Sequence, residues 1–249
     1  AVVIGNRDYK NTKNVDYALN DAESIKMYLT GVLGYREGNI FYMANATKGD
    51  FDLLFGSKDN HKGKLFNAVK PGKSDVFIFY SGHGAPGLKN HKGYFVPVEA
   101  DPNYVELSGS PLDVFYENLS RLPARSITVV LEACFSGAIF EGISPLVVQM
   151  DNPAVRLDNA VVLSSSSGSQ VSSWYDEKKH GMFTYFFLKS MHDRKSDVDR
   201  DGNLTFDEIY RYISDKTEGI PYYARRLHGV EQDPTIEGSY RGKVLVQYQ

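Results

Sequence analysis

Thr128-Val-Val-Leu-Glu132-Ala-Cys134-Phe-Ser-Gly137 decides the fold. Its first half is apolar without alternation, the mark of a strand buried on both faces of a sheet. The run ends at the only cysteine of the chain, among small residues (Ala133, Ser136, Gly137, Ala138) that permit a tight turn and close approach of a ligand. A second such run, Asp75-Val-Phe-Ile-Phe-Tyr80, ends in Ser81-Gly-His83-Gly84. In an open parallel sheet, ligands and catalytic groups gather at the carboxyl ends of the strands. Adjacent strands here bring together one thiol and one imidazole, the pair required for a nucleophilic cysteine served by a histidine.

Outward from these runs, strand and helix alternate. Val2–Ile4 reads as a strand. Val15 to Leu33 carries apolar residues at Ala18, Ala22, Ile25, Leu29 and Val32, the spacing of an amphipathic helix. Ile40–Met43 is a short strand, and weak helical period surrounds Phe51–Phe55 and Leu65–Val69. Gly82 to Gly93 reads as a loop, and Tyr94–Val98 as extended. Ser110 stands as N-cap of a helix to Leu119, with Pro111 in its first position. Ala160–Ser164 is a strand ending in a serine run, Met182–His192 and Phe206–Thr217 are helices, and Lys243–Gln247 is an edge strand for the sheet. The alternation predicts one α/β domain over residues 1–249, with an open, mostly parallel sheet flanked by helices.

Composition narrows the function. The chain has 249 residues and a net charge of −3 from 28 basic and 31 acidic side chains, and no basic block marks a nucleic-acid surface. One cysteine excludes an internal disulfide framework and a multi-cysteine metal site. No apolar run is long enough to span a bilayer, so a soluble protein is expected. The chain opens on Ala-Val-Val-Ile-Gly, without methionine and already inside a strand, which reads as a trimmed product. Composition leaves its compartment and oligomeric state open.

Ser81-Gly-His83-Gly84 and Glu132-Ala-Cys134-Phe-Ser-Gly137, about 50 residues apart, resemble the caspase-like cysteine peptidases. That superfamily includes caspases, metacaspases and paracaspases, with legumain and gingipain as relatives. Asn20-Asp21-Ala22 and Tyr94-Phe-Val-Pro97 look like bacterial metacaspase-like proteins, whereas Glu132-Ala-Cys134 and His83-Gly-Ala-Pro-Gly87 are closer to legumain. Caspases proper place Gln and Arg where this chain has Glu132 and Phe135. The resemblance implies a caspase-like fold and a Cys134–His83 dyad acting on protein or peptide substrates. It also implies an oxyanion hole from the backbone N–H groups of Gly84 and Cys134.

Glu132 lies on the same face of its strand as Cys134. It is either an ion-paired structural acid or a wall of the pocket for the P1 side chain, which precedes the scissile bond. Asp21 corresponds, by the resemblance, to an acidic specificity residue of metacaspases. Two carboxylates together select Arg or Lys. Asp176 adds to the pocket or lines its mouth, and Trp174 and Tyr175 suit an apolar subsite wall. Legumain cleaves after Asn with the same Glu-Ala-Cys arrangement, so an asparaginyl peptidase or ligase is the alternative. A protease-like signalling or binding module is a third.

Asp197-Val-Asp199-Arg-Asp201-Gly-Asn203-Leu-Thr205-Phe-Asp-Glu208 matches the EF-hand calcium loop at its diagnostic places. Oxygen ligands stand at positions 1, 3, 5, 7, 9 and 12, and glycine at the turn. The expectation is an inserted EF-hand-like loop within the helix-loop-helix 182–217, binding Ca2+ that activates or stabilises the enzyme. The plain alternative is a solvated acidic turn. Residues 137–158 occupy the place of a caspase intersubunit linker, and Arg156 is their one basic residue. With a basic P1 preference, Arg156 is the natural self-cleavage site of a zymogen, with Lys178 and Lys179 as alternatives in the next loop; the plain alternative is a surface loop with an incidental arginine.

Overall fold

Asp75–Ser81 (β3) and Ser126–Glu132 (β7) pair in parallel along their whole length, from Asp75 opposite Ser126 to Ser81 opposite Glu132. Every residue of β7 is buried. Such a strand needs cover on both faces, and the computed structural model supplies it; residues 1–90, 92–135, 157–168 and 170–248 are described. Val2–Gly5 (β1) pairs β3 on one side and Phe41–Ala44 (β2) on the other, both in parallel. Beyond β7 lie Ala160–Ser164 (β8), parallel, and Thr235–Glu237 (β12), antiparallel at the edge. The order β12-β8-β7-β3-β1-β2 reverses direction between β1 and β3, which places a crevice at the carboxyl ends of the central strands.

One face is covered by Lys48–Phe55 (α2), Lys64–Ala68 (α3) and Leu112–Ser120 (α5), whose Phe51, Phe55, Leu65, Phe115 and Leu119 pack on Ile4, Ile78 and Val129. The other is covered by Ala18–Gly31 (α1), Met182–His192 (α6), Phe206–Ile213 (α7) and Ile220–His228 (α8). In α1 the inward stripe is Ala18, Ala22, Ile25 and Leu29, and Asp21 is buried on that same side. A short helix, Val105–Ser108 (α4), lies over a small satellite core with Tyr9, Ala85 and Tyr94.

Three expectations are corrected. The stretch after His83 is not all loop: Gly84–Pro86 (β4), Gly93–Phe95 (β5) and Ser110–Pro111 (β6) form a small antiparallel sheet. Ser110 is therefore held in β6 rather than capping α5, whose N-cap is Pro111. Lys243–Gln247 does not close the main sheet, an edge taken by β12; Val244–Gln247 (β13) pairs antiparallel with Asn203–Thr205 (β11) beside α7. The hairpin Trp174–Tyr175 (β9) with His180–Gly181 (β10) leads into α6. No described helix is long and apolar enough to cross a membrane.

Phe79, wholly buried in β3, packs against the α1/α6 face. Phe79→Ala is expected to lower unfolding free energy by about 3–5 kcal/mol, read from the midpoint shift in urea at unchanged slope.

Candidate active site

The register of β3 and β7 carries the site. Past the last pair, Ser81 with Glu132, the Gly82 N–H still donates to the Glu132 carbonyl at 3.2 Å. His83 and Cys134 thus leave the sheet on adjacent strands at matching positions. The two turns then touch: a Cβ built on Gly84 would stand 2.7 Å from the Cys134 carbonyl oxygen and 2.4 Å from the Phe135 ring. Only glycine allows that approach.

The His83 peptide is clamped by two tyrosines. Its N–H donates to Tyr9 Oη at 2.8 Å, its carbonyl accepts from Tyr80 Oη at 2.6 Å, and the Tyr9 ring lies 4.7 Å from the imidazole. Imidazole Nε2 is 2.8 Å from the Lys13 carbonyl, which only accepts, so Nε2 carries the proton and Nδ1 is left as the acceptor of the neutral ring. Burial lowers the His83 pKa, with the Lys13 bond pulling the other way. Sequence offered no third member for the dyad; the orienting group is a backbone carbonyl.

Cys134 is half-buried, its Sγ accepting from the Ser172 N–H and lying 3.9 Å from the Ser172 carbonyl. Burial raises the thiol pKa, while the Ser172 contacts oppose this. The serine run after β8 braces this turn. Ser165 Oγ donates to the Ala133 carbonyl at 3.1 Å, accepts from the Ala133 N–H at 3.2 Å and bonds Ser172 Oγ. Among the described residues no hydrogen bond joins thiol and imidazole; each is held by its own backbone partner.

Asp21 and Glu132 are buried, at 1% and 6% exposure, beneath the β9–β10 hairpin. Asp21 Oδ2 accepts from Ser81 Oγ at 2.9 Å; Oδ1 meets His180 Nδ1 at 2.9 Å and the Gly181 N–H at 3.1 Å. Glu132 Oε2 accepts from the N–H and Oγ of Thr184, at 2.7 and 3.0 Å. It thereby caps the amino end of α6, where Gly181 supplies no side chain. A Cβ on Gly181 would fall 2.4 Å from Glu132 Oε2. Glu132 Oε1 is buried with no hydrogen-bond partner among the described residues. Burial, then the Asp21 charge, pushes the Glu132 pKa up to about 8 against the Thr184 and Phe183 amides. Burial also raises that of Asp21, opposed by His180.

Asp176 sits in an exposed turn and accepts from Tyr17 Oη at 2.9 Å. The Tyr17 ring meets Trp174 edge-on at 6.0 Å, so these residues form one surface beside Asp21. Tyr175 differs from expectation: its ring packs on Tyr185, Phe186 and Tyr223 of α6 and α8. In the acidic loop, one oxygen each of Asp197, Asp199 and Glu208 lies within 4.8 Å of the others. Asp201 is outside that group, its Oδ1 accepting from the Asn203 N–H at 2.7 Å. Thr205 caps α7, in a reciprocal box with Glu208. Arg156 and most of the 137–158 segment lie outside the described residues.

Fold and strand-tip geometry define a member of the caspase-like cysteine peptidase superfamily. The sequence matches the Caspase domain over residues 1–245, and the chain belongs to that family. Caspase-1 from Spodoptera frugiperda superposes with a TM-score of 0.60, covering 100% of this chain and 89% of that one at 11% identity. A vacuolar-processing enzyme of Glycine max is 25% identical over 158 residues, 63% of this chain and 27% of the relative. Another from Phaseolus vulgaris is 29% identical over 126 residues, 50% and 21% of the two chains. Legumain of Canavalia ensiformis is 29% identical over 96 residues, 38% and 18%. The chain thus spans about a quarter or less of the length of these relatives.

Because the folded Glu132 pKa is raised from 4.5 to about 8, the folded state holds a proton that the unfolded chain releases. The contribution of Glu132 is therefore full below the unfolded value and is lost as pH climbs to about 8. Wild type is expected to lose stability relative to Glu132→Gln between about pH 5 and pH 8 in urea unfolding. A difference independent of pH would show that the acid is ionised throughout.

Proposed function

We propose that the chain is a cysteine endopeptidase working through Cys134 and His83. The observation that carries this is the β3–β7 register, with the Gly84 backbone against that of Cys134. Once released from Ser172, the Cys134 thiol gives its proton to Nδ1 of His83 while Sγ bonds the scissile carbonyl carbon. The oxyanion is stabilised by the backbone N–H groups expected at Gly84 and Cys134. Collapse breaks the C–N bond, and the departing amine takes the proton from His83. Water, deprotonated by the same imidazole, then hydrolyses the thioester and returns the proton to sulfur. The Lys13 carbonyl holds the ring in the tautomer that leaves Nδ1 free.

A basic P1 residue fits best. The Asp21 charge raises the proton affinity of Glu132, and the same field attracts a guanidinium or ammonium. His180 is the one basic side chain hydrogen-bonded to the pair, and Glu132 Oε1 has no partner among the described residues. Asparagine is the second reading, favoured by the relatives, which are vacuolar-processing enzymes and legumain. The acidic loop supplies no group to these steps.

Matched peptides with Arg, Lys, Asn or Asp before a fluorogenic reporter test the proposal. Release after Arg and Lys is expected, falling at least about 1,000-fold in Cys134→Ala. Release only after Asn keeps the dyad and overturns the acidic pocket. Silence on all four, with the fold intact, points to a binding module.

A further inference from the structure

The acidic loop is remote in sequence from the dyad and supplies no residue to it. Asp197 is 8% exposed, and its Oδ1 is buried without a hydrogen-bond partner among the described residues. An ionised carboxylate oxygen in that condition is costly unless a cation answers it. Its other oxygen, Oδ2, accepts from the Gly202 N–H at 3.0 Å. Glu208 is buried as well and turned into the loop, Oε1 accepting from the Val198 N–H at 3.0 Å. Oxygens at about 2.3–2.6 Å from one Ca2+ lie at most about 5 Å apart, and one carboxylate oxygen each of Asp197, Asp199 and Glu208 already lies within 4.8 Å of the others.

The backbone is shaped accordingly. Gly202 has φ +82° at the sharp turn and Arg200 has φ +61°. The strand that follows the turn, β11, is paired by β13, with Leu204 opposite Val246 and the Tyr248 N–H donating to the Gly202 carbonyl at 2.8 Å. In an EF-hand pair that place belongs to the strand of a second calcium loop; here the chain's own C-terminal strand fills it.

We propose that this loop binds one Ca2+ through the carboxylates of Asp197, Asp199 and Glu208, the Asn203 carbonyl and Thr205, with Asp201 joining directly or through water. The ion clamps α6, α7 and β13 together. All-oxygen donors with four carboxylates, offset by Arg200 alone within the loop, suit Ca2+ over zinc or copper. This site goes beyond the peptidase reading and stands whether or not that reading holds.

The full chain, stripped with chelator, is titrated calorimetrically with CaCl2 and melted with and without the ion. One site per chain is expected, and about 5 °C or more of added melting temperature near 100 times Kd. Mg2+ at equal concentration should give a markedly smaller shift. Asp199→Asn, at an exposed position bonded to the Asp201 N–H, should weaken Ca2+ at least tenfold with the metal-free melting temperature unchanged. Glu208→Gln keeps a side chain able to complete the capping box and should weaken binding more. The proposal is overturned by absence of heat and of melting shift up to about 5 mM Ca2+. An equal shift with Mg2+, or wild-type affinity in both variants, would overturn it too.

Discussion

Seven consecutive parallel pairs between β3 and β7 are the constraint on which the remaining structure depends. They need apolar cover on both sides, which dictates a layer of helices on each face. They end level, so two chemically distinct turns emerge side by side. The β1/β3 reversal opens a crevice beside those turns. Cys134 and His83 each inherit their place from the strand before them and are then fixed by bonds that are mostly distant in sequence, Cys134 to Ser172 and His83 to Tyr9 and Lys13, with Tyr80 the one near neighbour.

Glu132 caps a helix and neighbours a second buried acid at once. One oxygen terminates α6 through Thr184, and the other is unmatched beside a second buried acid. Ionising both buried acids together is costly, which keeps a proton on Glu132 up to about pH 8, and His180 and the α6 amides answer the remaining polar oxygens. That pairing places a second buried acid against the residue that caps α6.

Much of this was legible in the chain. The unalternating runs before Cys134 and His83 gave the central strands, and the α1 stripe followed helical period. What escaped had physical causes. Pairing partners are non-local, so β13 read as an edge strand of the main sheet and its true partner, β11, was hidden inside the acidic loop. Helix α8 does carry Ile220, Tyr223, Ala224 and Leu227 at helical spacing, a signal masked by the breakers Gly219 and Pro221 at its start. The Lys13 carbonyl and the Ser172 amide belong to the backbone, which composition cannot reveal. The serine run after β8 looked like a loop, although Ser165 bonds both backbone groups of Ala133.

The level ending of β3 and β7 has a consequence for quality control during folding. Sliding one parallel strand past its neighbour by a single residue sends every side chain to the opposite face. In such a chain Glu132 would lose Thr184, Ser81 would lose Asp21, and the two turns would no longer abut. A misregistered molecule would therefore be unstable and would also lack the juxtaposed thiol and imidazole. That juxtaposition is confined to molecules whose sheet has been assembled correctly.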